Sequence, residues 1–257
     1  MNSSRRPLAK LSLFGITSLH KRHPLMVVWW SAAFPGFGHF LLNQYLRATF
    51  LTLSEVIFNT LSHINESIIL SFCGRFAQAK AILEPRWILG YILIYFIAIW
   101  DSYRSASYQN KLCTLAEFEN EPLPNLRLFA SEIQYLQRKS PFVAATFSLF
   151  FPGFGQLYNH RIGLAFYAIS WWWLYLSLSH VHESLIYILT GRLTESIPIL
   201  RPHWLLFMPS VIGGSIYHAY VKAKEDNLVY CIEQRQYLVN RYYSSAVQIF
   251  GKPGGSS

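Results

Sequence analysis

Shifted by 117 residues, the sequence lays Lys21–Ala106 over Arg138–Ala223 without a gap, and about 24 of the 86 pairs are identical. Chance matches between two apolar stretches would scatter among Leu and Ile. These fall on Pro, Gly, His, Glu, Arg and Trp. Phe34-Pro35-Gly36-Phe37-Gly38 returns as Phe151-Pro152-Gly153-Phe154-Gly155, and Ser62-His63-x-x-Glu66-Ser67 as Ser179-His180-x-x-Glu183-Ser184. Gly74-Arg75 returns as Gly191-Arg192, and Pro85-x-Trp87 as Pro202-x-Trp204. A chain that carries one pattern twice is built from two copies of one supersecondary unit, so the architecture reduces to that unit.

Composition says what surrounds the unit. Of the 257 residues 52% are hydrophobic and only 14% charged, against roughly 25% charged in ordinary soluble domains. Stretches such as Ile88–Trp100 and Thr49–Leu61 are nearly charge-free. The cations behind the net charge of +9 gather in three blocks: Arg5, Arg6, Lys10, Lys21, Arg22; then Arg104, Lys111, Arg127, Arg138, Lys139; then Lys222, Lys224, Arg235, Arg241, Lys252. Each block flanks a hydrophobic region, as cytoplasmic loops do under the positive-inside rule. No nucleic acid is needed to explain the charge. Cys73, Cys113 and Cys231 form no CxxC and no even set, so no disulfide framework is implied. No cleavable leader is read at the N-terminus.

Within each copy four pieces follow in order. A short apolar run (Leu25–Phe34; Phe142–Phe151) stops at Pro-Gly, with about ten residues where ~20 are needed to span. A longer helix follows, roughly Phe40–Leu61 and Leu157–Leu178, and then an amphipathic stretch through Gly-Arg. A second spanning helix starts at Pro-x-Trp, roughly Trp87–Tyr103 and Trp204–Tyr220. The expectation is an all-α, polytopic membrane protein: two tandem parallel repeats of a two-helix hairpin, each with a short re-entrant or interfacial segment. The expected division is a cytoplasmic N-terminal tail over 1–20, the first repeat over 21–106, and a linker over 107–137. The second repeat covers 138–223 and a cytoplasmic C-terminal tail covers 224–257. Two crossings per copy put both termini and the linker on the cytoplasmic side of a cell membrane. The linker, with Glu117, Glu119, Glu121, Pro122 and Pro124, reads as a solvated connector carrying one surface-lying helix at Leu128–Gln137. Gly251–Ser257 read as disordered.

Three groups of residues are candidate sites. Pro35, Gly36 and Gly38, with Pro152, Gly153 and Gly155, permit a sharp turn or a close helix approach. They either line a path as a re-entrant turn or fix a tight hairpin. Glu55 lies inside a spanning helix, where an acid is a functional hypothesis by default, and its counterpart is Trp172. Arg47 or Asn59 would satisfy it, and a path would bring Glu55, Arg47 and Asn43 to one polar cavity. His63/Glu66 and His180/Glu183 share helix faces at i, i+3, and two such pairs with His182 would make a metal cage. The alternative is a pair of helix starts, with Ser62 or Ser179 capping and the Glu in the first turn. Trp29, Trp30, Trp87, Trp100 and Trp204 fit interfacial belts.

The segment Pro152-Gly-Phe-Gly-Gln-Leu-Tyr-Asn159 resembles the first membrane hairpin of Firmicute sugar ABC-importer permeases and of small two-helix membrane-domain proteins. The likeness covers one hairpin, present twice. In the first copy His39 replaces Gln156, and Leu41-Leu42 replaces Tyr158-Asn159. There is no phosphate loop and no Glu-Ala-Ala docking loop. The resemblance therefore implies an accessory hairpin rather than a complete permease. The functional expectation is a non-enzymatic membrane scaffold or accessory subunit, without catalytic residues or cofactor. Its expected partners are membrane lipids and a membrane protein, with an ABC-type transport complex as the association the resemblance implies, and no nucleic acid. The alternative is a small transporter or channel with its path between the repeats.

Overall fold

The computed structural model describes residues 6–12, 14–119, 123, 126–128 and 133–242. Helices make up most of it. The first copy runs α1 (Pro24–Ala33), α2 (Phe37–Leu41), α3 (Tyr45–Ser62), α4 (Ile64–Phe72), α5 (Phe76–Ala81) and α6 (Pro85–Glu119). The second runs α7 (Pro141–Phe150), α8 (Phe154–Tyr158), α9 (Ile162–Ser179), α10 (Val181–Leu189), α11 (Leu193–Ile199), α12 (Pro202–Leu205) and α13 (Met208–Tyr242). From α1 to α4 every boundary returns 117 residues later. The backbone signature returns too: Gly36 and Gly153 have φ of 100° and 109°, His63 and His180 of 57° and 55°, Gly74 and Gly191 of 73° and 80°.

Local chemistry explains these boundaries. Pro24 and Pro141 start α1 and α7, where a missing N–H costs nothing. Phe34 and Phe151 are extended, as a residue before proline must be, so both short helices stop there. A Cβ on Gly36 would meet the Ala48 carbonyl at 2.5 Å, and one on Gly153 the Ile169 side chain at 2.6 Å. The Pro-Gly turn thus lays α2 on α3 and α8 on α9. The spanning helix expected from Phe40 is divided: Asn43 and His160, both left-handed, separate α2 from α3 and α8 from α9. The copies differ at their last helix. Pro209 stands where the first copy has Ile92; it removes a backbone donor, and the continuous α6 becomes the separate α12 and α13.

Three expected boundaries are corrected. Residues 107–137 are not simply a linker, because α6 continues unbroken to Glu119. Its buried Ala106, Gln109, Cys113 and Ala116 keep helical spacing toward one face. Likewise α13 runs through the expected boundary at 223/224 to Tyr242, burying Glu225, Asp226 and Val229. The helix expected at Leu128–Gln137 is instead an antiparallel strand pair, β3 (Leu126–Leu128) with β4 (Ile133–Tyr135). The 1–20 tail holds a second pair, β1 (Ala9–Ser12) with β2 (Gly15–Ser18). Alternation buries Leu11 and Ile16 with Leu123, Leu136 and Val229, so the two hairpins and α13 form a cap with its own small core. Glu121, Pro122, Pro124 and Gly251–Ser257 lie outside the described residues.

One paired contact reaches past the aligned segment. Asn110 of α6 accepts from the Arg22 amide at 2.8 Å and donates to the Arg22 carbonyl at 2.7 Å. Asn227 of α13 does the same for Lys139, at 2.7 Å each way. Each clamp holds the lead-in two residues ahead of the helix-starting proline. At the opposite end the Glu84 amide donates to the Ser62 carbonyl and the Arg201 amide to the Ser179 carbonyl. Among the described residues one helix, Ile162–Ser179, is long and apolar enough to cross a membrane.

Asn110→Ala and Asn227→Ala should each cost about 1–3 kcal/mol, the range for orphaning buried backbone groups, read by thermal unfolding in mild detergent. Unequal losses, with one near zero, would contradict the matched geometry. Gly36→Ala and Gly153→Ala should cost clearly more than Gly74→Ala and Gly191→Ala. All four have positive φ, but a Cβ at the latter two meets nothing within 4 Å.

Candidate functional site

The sequence-derived polar site divides into two. Glu55 is 2% exposed and accepts from Asn59 Nδ2 at 3.1 Å. That same amide reaches Asn65 Oδ1 at 3.1 Å, and Asn65 Nδ2 donates to the His203 carbonyl at 3.0 Å. The result is a buried polar chain from α3 through α4 to α12, tying the first copy to the second. Thr60 and the His203 ring meet beside it at 3.2 Å. Arg47 does not join it. Its guanidinium binds Asp101 at 2.8 Å and Ser105 at 3.1 Å, and Asp101 also meets His39 at 3.1 Å and Arg104 at 3.2 Å. Asn43 donates instead to the Ser18 carbonyl at 3.1 Å. Glu55, Arg47 and Asn43 thus turn to three different partners, and Arg47, near the start of α3, is drawn to the helix turn that carries Asp101 rather than to Glu55 two turns on.

The expected metal cage is not assembled either. His63 meets Glu66 at 3.2 Å and His180 meets Glu183 at 3.0 Å, each pair closing on itself at an exposed helix start. His182 adds only a 3.6 Å approach to Glu183. Among the described residues no group of three or more His, Cys, Asp or Glu could hold a metal ion. Glu66 and Glu183 do stand in the first turns of α4 and α10. The capping serines do not: the N-cap positions are His63 and His180, and Ser62 and Ser179 donate back to the Asn59 and Leu176 carbonyls.

The Pro-Gly turns are covered by protein. Thr52 donates to the Pro35 carbonyl at 3.3 Å, and the Gly153 amide donates to Ser215 at 3.3 Å. Between the copies the contact is aromatic and aliphatic: Phe34 and Val56 pack with Trp172, Tyr175, Phe207, Met208 and Val211. A small apolar crevice of about 60 Å³ lies there, reaching from Phe40 to Tyr175.

The densest electrostatic site was not foreseen. Arg22, Lys139 and Lys222, read from sequence as solvated flanks, are all buried, together with Arg161. They surround two neighbouring acids of α13. Arg22 pairs with Glu225, and Lys222 Nζ reaches Glu225 at 3.0 Å and the Leu41 carbonyl at 3.0 Å. Arg161 donates to Asp226 at 3.1 Å and to the Tyr45 hydroxyl at 3.2 Å, while Lys139 stands 3.9 Å from Asp226. Four cations against two carboxylates leave the cluster with an excess of positive charge. Burial pushes Lys222 down to about 7 and Lys139 down to about 8, against the pull of Glu225 and Asp226. Burial would raise Glu225, but Lys222 and Arg22 outweigh it and hold the carboxyl at about 2. A positional signal did exist. Arg161, Lys222, Glu225 and Asp226 stand where the first copy has Gln44, Ser105, Tyr108 and Gln109, and the charge rule hid it by assigning cations to the surface.

The pH dependence follows. The unfolded chain keeps the Lys222 proton up to its ordinary value of 10.5, while the folded chain releases it near 7. In that window the unfolded state binds more protons, so stability climbs with pH. The neighbours setting this are Glu225 and His218 on α13, Arg22 before α1, Arg161 before α9, and His20 after β2. The unfolding temperature in mild detergent should rise between about pH 7 and pH 9.5, and Lys222→Met should flatten the rise. A flat wild-type profile would sink this account. Compared with protein-family models, curated proteins and solved structures, the chain matches none of them, so its function is argued from its own residues.

Proposed function

We propose that the chain is a non-enzymatic integral membrane scaffold or accessory subunit, built from two copies of one hairpin with two crossings each. The crossings are α3, α6 as far as Tyr103, α9 and α13 as far as Tyr220, with both termini and the segment joining the copies on the cytoplasmic side of the cell membrane. The observation that carries the membrane reading is the polarity of α3. Its exposed stripe is Leu46, Phe50, Leu53, Ile57 and Leu61; its buried stripe includes Thr52, Glu55, Asn59 and Ser62. Apolar side chains face out and polar ones face in, the reverse of a helix solvated by water. Leu89, Leu93, Phe96, Ile97 and Trp100 make a similar outer face on α6, and Phe166, Trp173 and Leu174 on α9.

Scaffold is favoured over transporter because the contact between the copies is closed by aromatic packing, and because Glu55 is engaged by Asn59 rather than set in a polar cavity with Arg47. The likeness of Pro152–Asn159 to an accessory hairpin of sugar-importer permeases agrees with a membrane-protein partner, possibly an ABC-type complex, embraced through the exposed apolar faces.

Native cysteines supply the test. Cys73, between α4 and α5, and Cys231, on α13, are exposed, while Cys113 is buried. In intact cells an impermeant maleimide should label Cys73 in a Cys231→Ser variant, and Cys231 in a Cys73→Ser variant only after permeabilisation. Labelling of both from one side would refute the crossings. Proteoliposomes should show no protein-dependent ion flux, and a flux lost in Glu55→Gln would replace the scaffold reading with the transporter.

A further inference from the structure

A cavity of about 380 Å³ lies between the β1–β2 hairpin and the starts of α3 and α9. Ser12, Gly15 and Thr17 roof it, Tyr45 and Thr49 form one wall, and Gly163, Leu164 and Tyr167 the other. Arg161 lines it from the buried cluster, 2% exposed, and its Nε has no hydrogen-bond partner. The Tyr167 hydroxyl is likewise buried and unpartnered. Phe40, Leu164 and Tyr167 line both this cavity and the apolar crevice between the copies, so the two lie side by side across shared side chains. Its outer lip carries Phe14, 66% exposed, whose ring lies over Gly163.

We propose that this cavity binds the phosphate of an anionic membrane phospholipid, with the glycerol and first methylenes directed toward the crevice. The inference rests on the membrane reading above. Three observations converge on that occupant. The size falls at the lower end of small-ligand sites, roughly 300–1,000 Å³. The charge is complementary: Arg161 belongs to a buried group with more cations than carboxylates, and an added anion would reduce that excess. Finally, the wall changes from hydroxyls to aromatics along its length, matching a molecule with a charged head and an apolar body. Arg161 Nη1 and Nη2 already donate to Tyr45 and Asp226, so Nε is the donor left for a phosphate oxygen. A soluble phosphate would satisfy the charge but would leave Phe40, Leu164 and Tyr167 without a role.

The test uses the full chain purified in neutral detergent, after its resistance to carbonate extraction from membranes has been checked. Thermal unfolding is followed with added phosphatidylglycerol, phosphatidylcholine, or inorganic phosphate. Phosphatidylglycerol should raise the midpoint and bind about tenfold more tightly than phosphatidylcholine, whose choline ammonium cancels the charge of its phosphate and would meet the excess cations, and inorganic phosphate should give no comparable shift. Arg161→Gln should lose that preference. Because Arg161 also holds Asp226, a second variant, Thr17→Trp, fills the roof from an exposed strand position and leaves the ionic cluster intact. It should unfold at the wild-type temperature without lipid and gain nothing from phosphatidylglycerol. Equal shifts with both lipids, or a full shift from inorganic phosphate, would overturn the lipid site. So would a phosphatidylglycerol shift that survives in Thr17→Trp. Loss of the protein into the carbonate wash would overturn the membrane reading itself, a separate result from a carbonate-resistant protein indifferent to phosphatidylglycerol.

Discussion

Glu225 and Asp226 hold the basic end of the molecule together. They are adjacent on α13, yet they answer cations from three other places: Arg22 ahead of α1, Lys139 ahead of α7, and Arg161 ahead of α9. Burying any of these charges alone would cost several kcal/mol, and removing one partner from such a group strands the others. The arrangement therefore works as a unit. It fixes the lead-ins of three helices against one long helix, and the Asn110 and Asn227 clamps secure two of those lead-ins through their backbones. The β1–β2 hairpin then closes over the top, with Gly15 so near Arg161 that a Cβ there would meet the His160 carbonyl at 2.9 Å.

Polarity on the helices follows a related constraint. A helix that buries Thr52, Glu55 and Asn59 must supply each with a partner inside the protein, since an apolar solvent would offer none. Thr52 takes the Pro35 carbonyl and Glu55 takes Asn59 within the first copy, and the chain from Glu55 ends in the second, on the His203 carbonyl. Ser148, Gln156 and Ser215 make a comparable set within the second copy. Polar bonds rather than apolar burial thus specify how the helices register, while apolar side chains are left for the outside.

What could be read from the sequence was whatever depends on backbone chemistry. Pro24, Pro35 and Gly36 dictate a start, a stop and a left-handed turn wherever they occur, so the short helices and their repetition were visible in Phe-Pro-Gly-Phe-Gly itself. Helix ends governed by packing were not. The extension of α6 to Glu119 depends on a buried face at Ala106, Gln109, Cys113 and Ala116 that only its neighbours define. The sequence from 126 to 135 alternates poorly enough to pass for a helix, yet Leu126–Leu128 pairs with Ile133–Tyr135 as antiparallel strands. Among site residues, Glu55 with Asn59 followed from i, i+4 spacing on one helix. Arg47 went to Asp101 because that partner comes from a helix 54 residues away in sequence, a pairing no local spacing encodes.

The two copies share turns and clamps but not their polar interiors, and the difference has a consequence. Glu55, Asn59 and Asn65 of the first copy face Trp172, Leu176 and His182 at the same positions of the second. Arg161, Lys222, Glu225 and Asp226 of the second replace Gln44, Ser105, Tyr108 and Gln109 of the first. Two identical hairpins could pair in either order, or each with a hairpin of another chain. These substitutions remove that freedom. The first copy supplies its amides to the far end of the second, and the second supplies its charges to the basic end of the first, where Lys222 reaches the Leu41 carbonyl and Arg161 the Tyr45 hydroxyl. Each bond needs a donor that only one copy carries: Asn65 against His182, Lys222 against Ser105, Arg161 against Gln44. The pair is therefore held in one arrangement, with its aromatic contact closed and its apolar surfaces turned outward, which is what the proposed scaffold would need and what a path opening between the copies would oppose.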